Sequence, residues 1–89
     1  MKNEELRKHL NQLLSEGLSY LKNDFPEKAL GKFQNILVHK PNNANTLNFL
    51  SICIFQLKNY NKALFYIKKT IKNNSKEVGF YINLVFCSL

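Results

Sequence analysis

Phe25-Pro26-Glu27-Lys28-Ala29-Leu30 returns as Tyr60-Asn61-Lys62-Ala63-Leu64, with Ala29 and Ala63 standing 34 residues apart and each opening an apolar helical pattern. A unit that cannot bury its apolar face alone has to stack on a neighbour. Self-similarity at this period therefore predicts a helical solenoid. It says far less about activity.

Working outward, Asn3 reads as the cap of a first helix whose opening turn carries Glu4 and Glu5, favourable at the positive end of the helix dipole. Leu6, Leu10, Leu13, Leu14, Gly17, Leu18 and Leu21 follow at helical spacing to about Lys22. Asn23-Asp24-Phe25-Pro26 is a tight turn, and Pro26 suits the first turn of a helix, where its missing N–H costs nothing. That second helix, to about His39, turns Ala29, Leu30, Phe33, Ile36 and Leu37 inward, and Pro41 ends it. Asn42 and Asn43 cap a third, Ala44 to Leu57, which is apolar on nearly every face and is expected to be covered all round. A fourth, about Asn61 to Lys72, turns Ala63, Leu64, Ile67 and Ile71 inward and Lys62, Lys68, Lys69 and Lys72 outward. A fifth, from about Lys76, is apolar on most faces and has no hairpin mate within the 89 residues.

Composition agrees with an all-α class. The hydrophobic fraction of 45% is that of a globular domain, and three Gly, two Pro and no Trp leave little material for turn-rich β structure. Lys and Arg outnumber Asp and Glu by 13 to 6, for a net charge of +7. Thirteen Asn beside only three Ala is a usage typical of AT-rich codons, so the basic balance reads first as a solvated Lys-rich face. No Arg cluster or aromatic-basic interleaving marks a nucleic-acid surface. The N-terminus lacks the apolar core of a signal peptide and no apolar stretch approaches the ~20 residues that span a bilayer, so a soluble cytoplasmic chain is expected. Cys53 and Cys87 are again 34 apart. Stacked helices lie ~8–10 Å apart, beyond the ~7 Å Cα limit for a disulfide, so both cysteines read as small buried apolar residues.

These residues resemble the tetratricopeptide repeat, a 34-residue helix-turn-helix unit with leucine-glycine, tyrosine, alanine, aromatic and proline positions at fixed offsets. The first repeat, about 10–43, keeps Leu13, Gly17, Tyr20, Ala29, Phe33 and Pro41, with Glu16 where leucine is usual. The second, about 44–77, keeps Leu47, Leu50, Ser51, Ile54, Ala63 and Ile67, with Ser75 replacing the proline. A third begins at about 78 with Tyr81 and Leu84 in register and Val85 bulkier than the usual small residue. The resemblance implies one domain, an α-solenoid of about two and a half units with five helices. Physically, Gly17, Ser51, Ala29 and Ala63 are small where the two helices of a hairpin cross.

The resemblance also implies where function lies. In that family the first helix of each repeat lines a concave groove that takes peptides or partner helices. The matching positions are Leu14, Leu18 and Leu21, then Asn48, Phe49, Ile52 and Phe55, then Ile82, Asn83, Phe86 and Leu89. One subset of the family clamps the C-terminal carboxylate of chaperones with basic side chains. The corresponding sites here hold Leu14, Leu18, Phe49, Gly79 and Asn83, which excludes such a clamp, since an anion there would find no charge-assisted donors. The groove suits an apolar or amphipathic segment, or a sister chain docked through the unmatched fifth helix.

No catalytic constellation is visible. His9 and His39 have no ligand-spaced Cys, Asp or Glu beside them, and Gly17, Gly31 and Gly79 stand inside helices rather than in a phosphate loop. No cofactor or metal is implied. The expectation is a non-catalytic protein-interaction module. The alternative is the N-terminal arm of a larger enzyme, since similar arrays are fused to glycosyltransferase, methyltransferase or sulfotransferase domains. A third reading, nucleic-acid binding through Lys28, Lys32, Lys62, Lys68, Lys69 and Lys72, rests on charge alone.

Overall fold

The structure, a computed structural model, describes residues 3–73. They form four helices: α1 (Asn3–Lys22), α2 (Pro26–His39), α3 (Ala44–Gln56) and α4 (Tyr60–Asn73). The expected fifth helix lies outside the described residues. Short connections fold each helix back on the one before it. The closest packing is within the pairs α1–α2 and α3–α4; α2 also packs on α3, and α1 touches α3 directly.

The period seen in the sequence recurs in the backbone. Asp24 and Lys58, 34 residues apart, are the two non-glycine residues with positive φ among those described, both at 66°. After α1 the Asp24 N–H donates to the Leu21 carbonyl at 3.3 Å and the Phe25 N–H to Tyr20 at 2.8 Å. After α3 the Lys58 N–H donates to Phe55 at 2.9 Å and the Asn59 N–H to Ile54 at 3.2 Å. Both are Schellman endings, in which one left-handed residue lets two amides reach back to the last helical carbonyls. Glycine is the usual occupant, and other L-residues pay a conformational cost there. Lys58→Gly is therefore expected to stabilise the protein by about 0.5–1 kcal/mol and raise its melting temperature by several degrees. A thermal melt that is unchanged or lowered would contradict the left-handed turn.

Helix starts follow local chemistry. Pro26 occupies the first turn of α2, and the preceding Phe25 supplies no side-chain cap. Asn43 caps α3, its Oδ1 accepting from the Thr46 N–H at 3.0 Å and the Thr46 hydroxyl at 2.9 Å; Asn42 takes no part in that cap. At the other end of the chain Asn3 is already helical, not a cap standing ahead of the helix. Helix α4 begins at Tyr60, one residue earlier than expected, and α3 ends at Gln56, one earlier.

One continuous core runs through all four helices: Leu10 and Leu13 of α1, Ala29, Phe33 and Ile36 of α2, Leu50, Cys53 and Ile54 of α3, and Ala63 of α4. Gly17, Ser51, Ala29 and Ala63 are all buried, in keeping with small residues at the crossings. Leu30, Leu37, Leu64 and Ile71 of the expected inward stripes are only partly buried. Thr70, not in any expected stripe, is fully buried, and its hydroxyl donates to the Tyr66 carbonyl at 2.9 Å. That local bond satisfies the polar group and lets it enter the core. Helix α3 departs from the sequence reading, because α2 and α4 cover only part of its circumference. Thr46, Leu47, Leu50, Ser51, Cys53 and Ile54 are buried, while Phe49, Ile52 and Phe55 stay partly exposed.

Candidate partner-binding face

Three positions in α1 and three in α3 repeat with the 34-residue period: Leu14, Leu18 and Leu21 match Asn48, Ile52 and Phe55. In each helix the spacing i, i+4, i+7 places them on one face, and the two helices touch. Leu18 is exposed, with 37% of its surface open to solvent; Leu14, Leu21, Asn48, Ile52 and Phe55 are partly buried. The core thus leaves an apolar strip unfinished on α1 and α3.

Phe49 belongs more to the interior than to this strip. Its ring stacks on the buried Phe33 ring at 5.6 Å, with an interplanar angle of 29°. Phe55 meets Tyr60 edge-on at 5.1 Å, which holds its ring at the α3–α4 end of the face. The Ser51 hydroxyl donates to the Asn48 carbonyl at 2.6 Å, so the small residue at the crossing carries no unpaired polar group inward. Ile82, Asn83, Phe86 and Leu89 lie outside the described residues.

Sequence reasoning missed the recess at the edge of this strip. A cavity of about 480 Å³ opens between the start of α1 and the start of α3. Leu6, Leu10, Leu14 and Ile36 form its apolar lining, and Arg7, Lys40, Asn43 and Thr46 its polar one. Arg7 is held by Glu4, its Nη2 donating to Oε1 at 2.6 Å and its Nε to Oε2 at 3.2 Å, a solvent-exposed ion pair. The one available signal was the return of Asn11 at Asn45, a polar pair in the same 34-residue register beside Leu14 and Asn48.

Other chemistry-bearing residues fall into structural roles. Glu16, which replaces the usual leucine, accepts from the Lys32 ammonium at 3.4 Å across α1 and α2. The Lys28 ammonium sits over the Phe25 ring at 5.3 Å and the Tyr20 ring at 5.7 Å. His9 and His39, distant in sequence and both exposed, meet edge-to-face with ring centroids 6.3 Å apart. Among the described residues no group of three or more His, Cys, Asp or Glu could hold a metal ion. Cys53 is a buried free thiol. Burial pushes it up to about 11, against a smaller lowering by a backbone hydrogen bond, so at neutral pH it is protonated and a poor nucleophile. Cys87 lies outside the described residues.

Among the described residues no helix is long and apolar enough to cross a membrane. In comparisons with known proteins, no family model and no curated protein matches the chain.

Proposed function

We propose that the protein is an interaction module of the tetratricopeptide type that holds an apolar or amphipathic helical segment along α1 and α3. The observation that carries this reading is the strip of Leu14, Leu18, Leu21, Ile52 and Phe55, apolar and incompletely buried on two adjoining helices. Apolar surface gathered in one place fits a partner, whereas isolated exposed leucines need none. The i, i+4, i+7 spacing on both helices matches the ridge of an incoming amphipathic helix, whose own apolar side chains recur at that interval. Asn48 and Asn11 provide amide groups at the margin for a partner's polar atoms. In this reading α1 and α3 are the first helices of successive hairpins and together form the concave side.

The test is fluorescence anisotropy with a labelled amphipathic helical peptide bearing leucines at i, i+3, i+4 and i+7. Leu18→Asp combined with Ile52→Asp is expected to abolish binding while the helical circular-dichroism signal persists, because both side chains are partly in solvent and a carboxylate is tolerated there until a partner must desolvate it. Binding retained by the double variant would remove the strip from the site. Light scattering over a hundredfold range of concentration separates a sister chain from a foreign segment, since self-association would be lost in the same variant.

A further inference from the structure

Helix α4 reads YNKALFYIKKTIKN and contains no acidic residue. At 3.6 residues per turn Lys62, Phe65, Lys68 and Lys72 fall within about 120° of arc, with Phe65 in their midst. Phe65 is 62% exposed, and its ring meets only the edge of Tyr66, at 5.3 Å between centroids, among its printed ring contacts. Lys62, Lys68 and Lys72 are exposed beside it.

The 34-residue period shows that this register faces outward. Its counterparts on α2 are Lys28, Gly31, Gln34 and Val38, and all four are exposed although α3 packs on α2. A Cβ added at Gly31 would meet nothing within 4 Å. A helix stacked at the next position of the array therefore leaves this face open. The two outer faces differ in charge. On α2, Glu27 lies in the first turn, Lys32 is tied to Glu16 and Lys28 is spread over two aromatic rings. On α4 no carboxylate offsets the lysines.

We propose that the outer face of α4 seats on an anionic lipid surface, Phe65 entering the headgroup layer while Lys62, Lys68 and Lys72 face lipid phosphates. A helix lying in the interface has this composition, a large apolar side chain flanked by lysines whose methylene stems can follow it down while the ammonium groups stay at phosphate level. Nucleic acid would use the same charges, but a single aromatic among lysines offers neither a row of stacking rings nor a guanidinium fork. The charge complementarity therefore favours the lipid surface.

Cosedimentation of the full chain with phosphatidylcholine vesicles, with and without phosphatidylserine, tests the proposal. Pelleting is expected only with phosphatidylserine and should fade as salt screens the lysines. Replacing Lys62, Lys68 and Lys72 together by Gln is expected to weaken binding about a hundredfold, at roughly fivefold per lysine. Phe65→Ser is expected to weaken it by roughly tenfold, since an apolar ring no longer enters the layer. All four side chains are exposed, so the variants should keep the parent's thermal melt. Absence of pelleting with phosphatidylserine, or pelleting indifferent to Phe65→Ser, overturns the proposal. Binding of a fluorescent oligonucleotide without binding to the vesicles also overturns it and assigns the lysines to nucleic acid.

Discussion

Gly17→Ala is expected to melt about 10 °C below the parent protein, whereas Gly31→Ala should melt several degrees above it. A Cβ at residue 17 would sit 2.7 Å from Cε1 and 2.9 Å from Cζ of Phe33, closer than carbon atoms approach. The Phe33 ring is wholly buried and stacked on Phe49, so it cannot swing aside without disturbing the core. Overpacking of this kind costs about 1–3 kcal/mol, set against a gain of about 1 kcal/mol from alanine's helix propensity, and we expect a net loss near 2 kcal/mol. At Gly31 only the propensity term remains, because the position is open. Combining Gly17→Ala with Phe33→Leu should recover part of the loss, which a double-mutant cycle of thermal melts would measure. Equal effects at the two glycines would mean that α1 and α2 do not cross at Gly17.

Ala29→Leu and Ala63→Leu are each expected to destabilise by about 1–3 kcal/mol, and by similar amounts. Both alanines have no exposed surface, and both belong to the continuous core. Each also donates its amide to a matching carbonyl, Ala29 to Phe25 at 3.1 Å and Ala63 to Asn59 at 3.0 Å, so the backbone around the two sites is superposable. A leucine needs space for three further carbons between helices that are already in contact. Chemical denaturation of the two variants side by side checks this, and an unaltered midpoint in either would break the equivalence of the two sites. Against a total stability of about 5–15 kcal/mol for a domain of this kind, either substitution removes a large share.

Much of the fold could be read from side chains that act locally. Pro26 and Pro41 bracket α2, Asn43 starts α3, and Ala29 with Ala63 gives the spacing of the hairpins. The left-handed residues were not legible, because Asp24 and Lys58 are not the glycines such a turn favours; two reach-back hydrogen bonds at each turn hold them there. Thr70 was equally hidden, since its polarity is cancelled by a bond within its own helix. Pairs that meet across helices, Glu16 with Lys32 and His9 with His39, depend on tertiary placement that no local pattern encodes. On the candidate face the periodic residues Leu14, Leu18, Leu21, Ile52 and Phe55 were legible from spacing. Phe49 shows the limit of that reading, since the same helical pattern serves a ring that is half lining and half core.

The matched turns at Asp24 and Lys58 carry an implication for how such a chain can change length. Because the backbone leaves α1 and α3 through the same conformation, the step from one hairpin to the next acts as a fixed screw operation. A segment of 34 residues cut out or inserted between those two points would rejoin ends that already share direction and pitch. Any other length would bring mismatched ends together and rotate every later side chain off its face. Growth and shrinkage of this architecture are thereby restricted to whole steps of the screw.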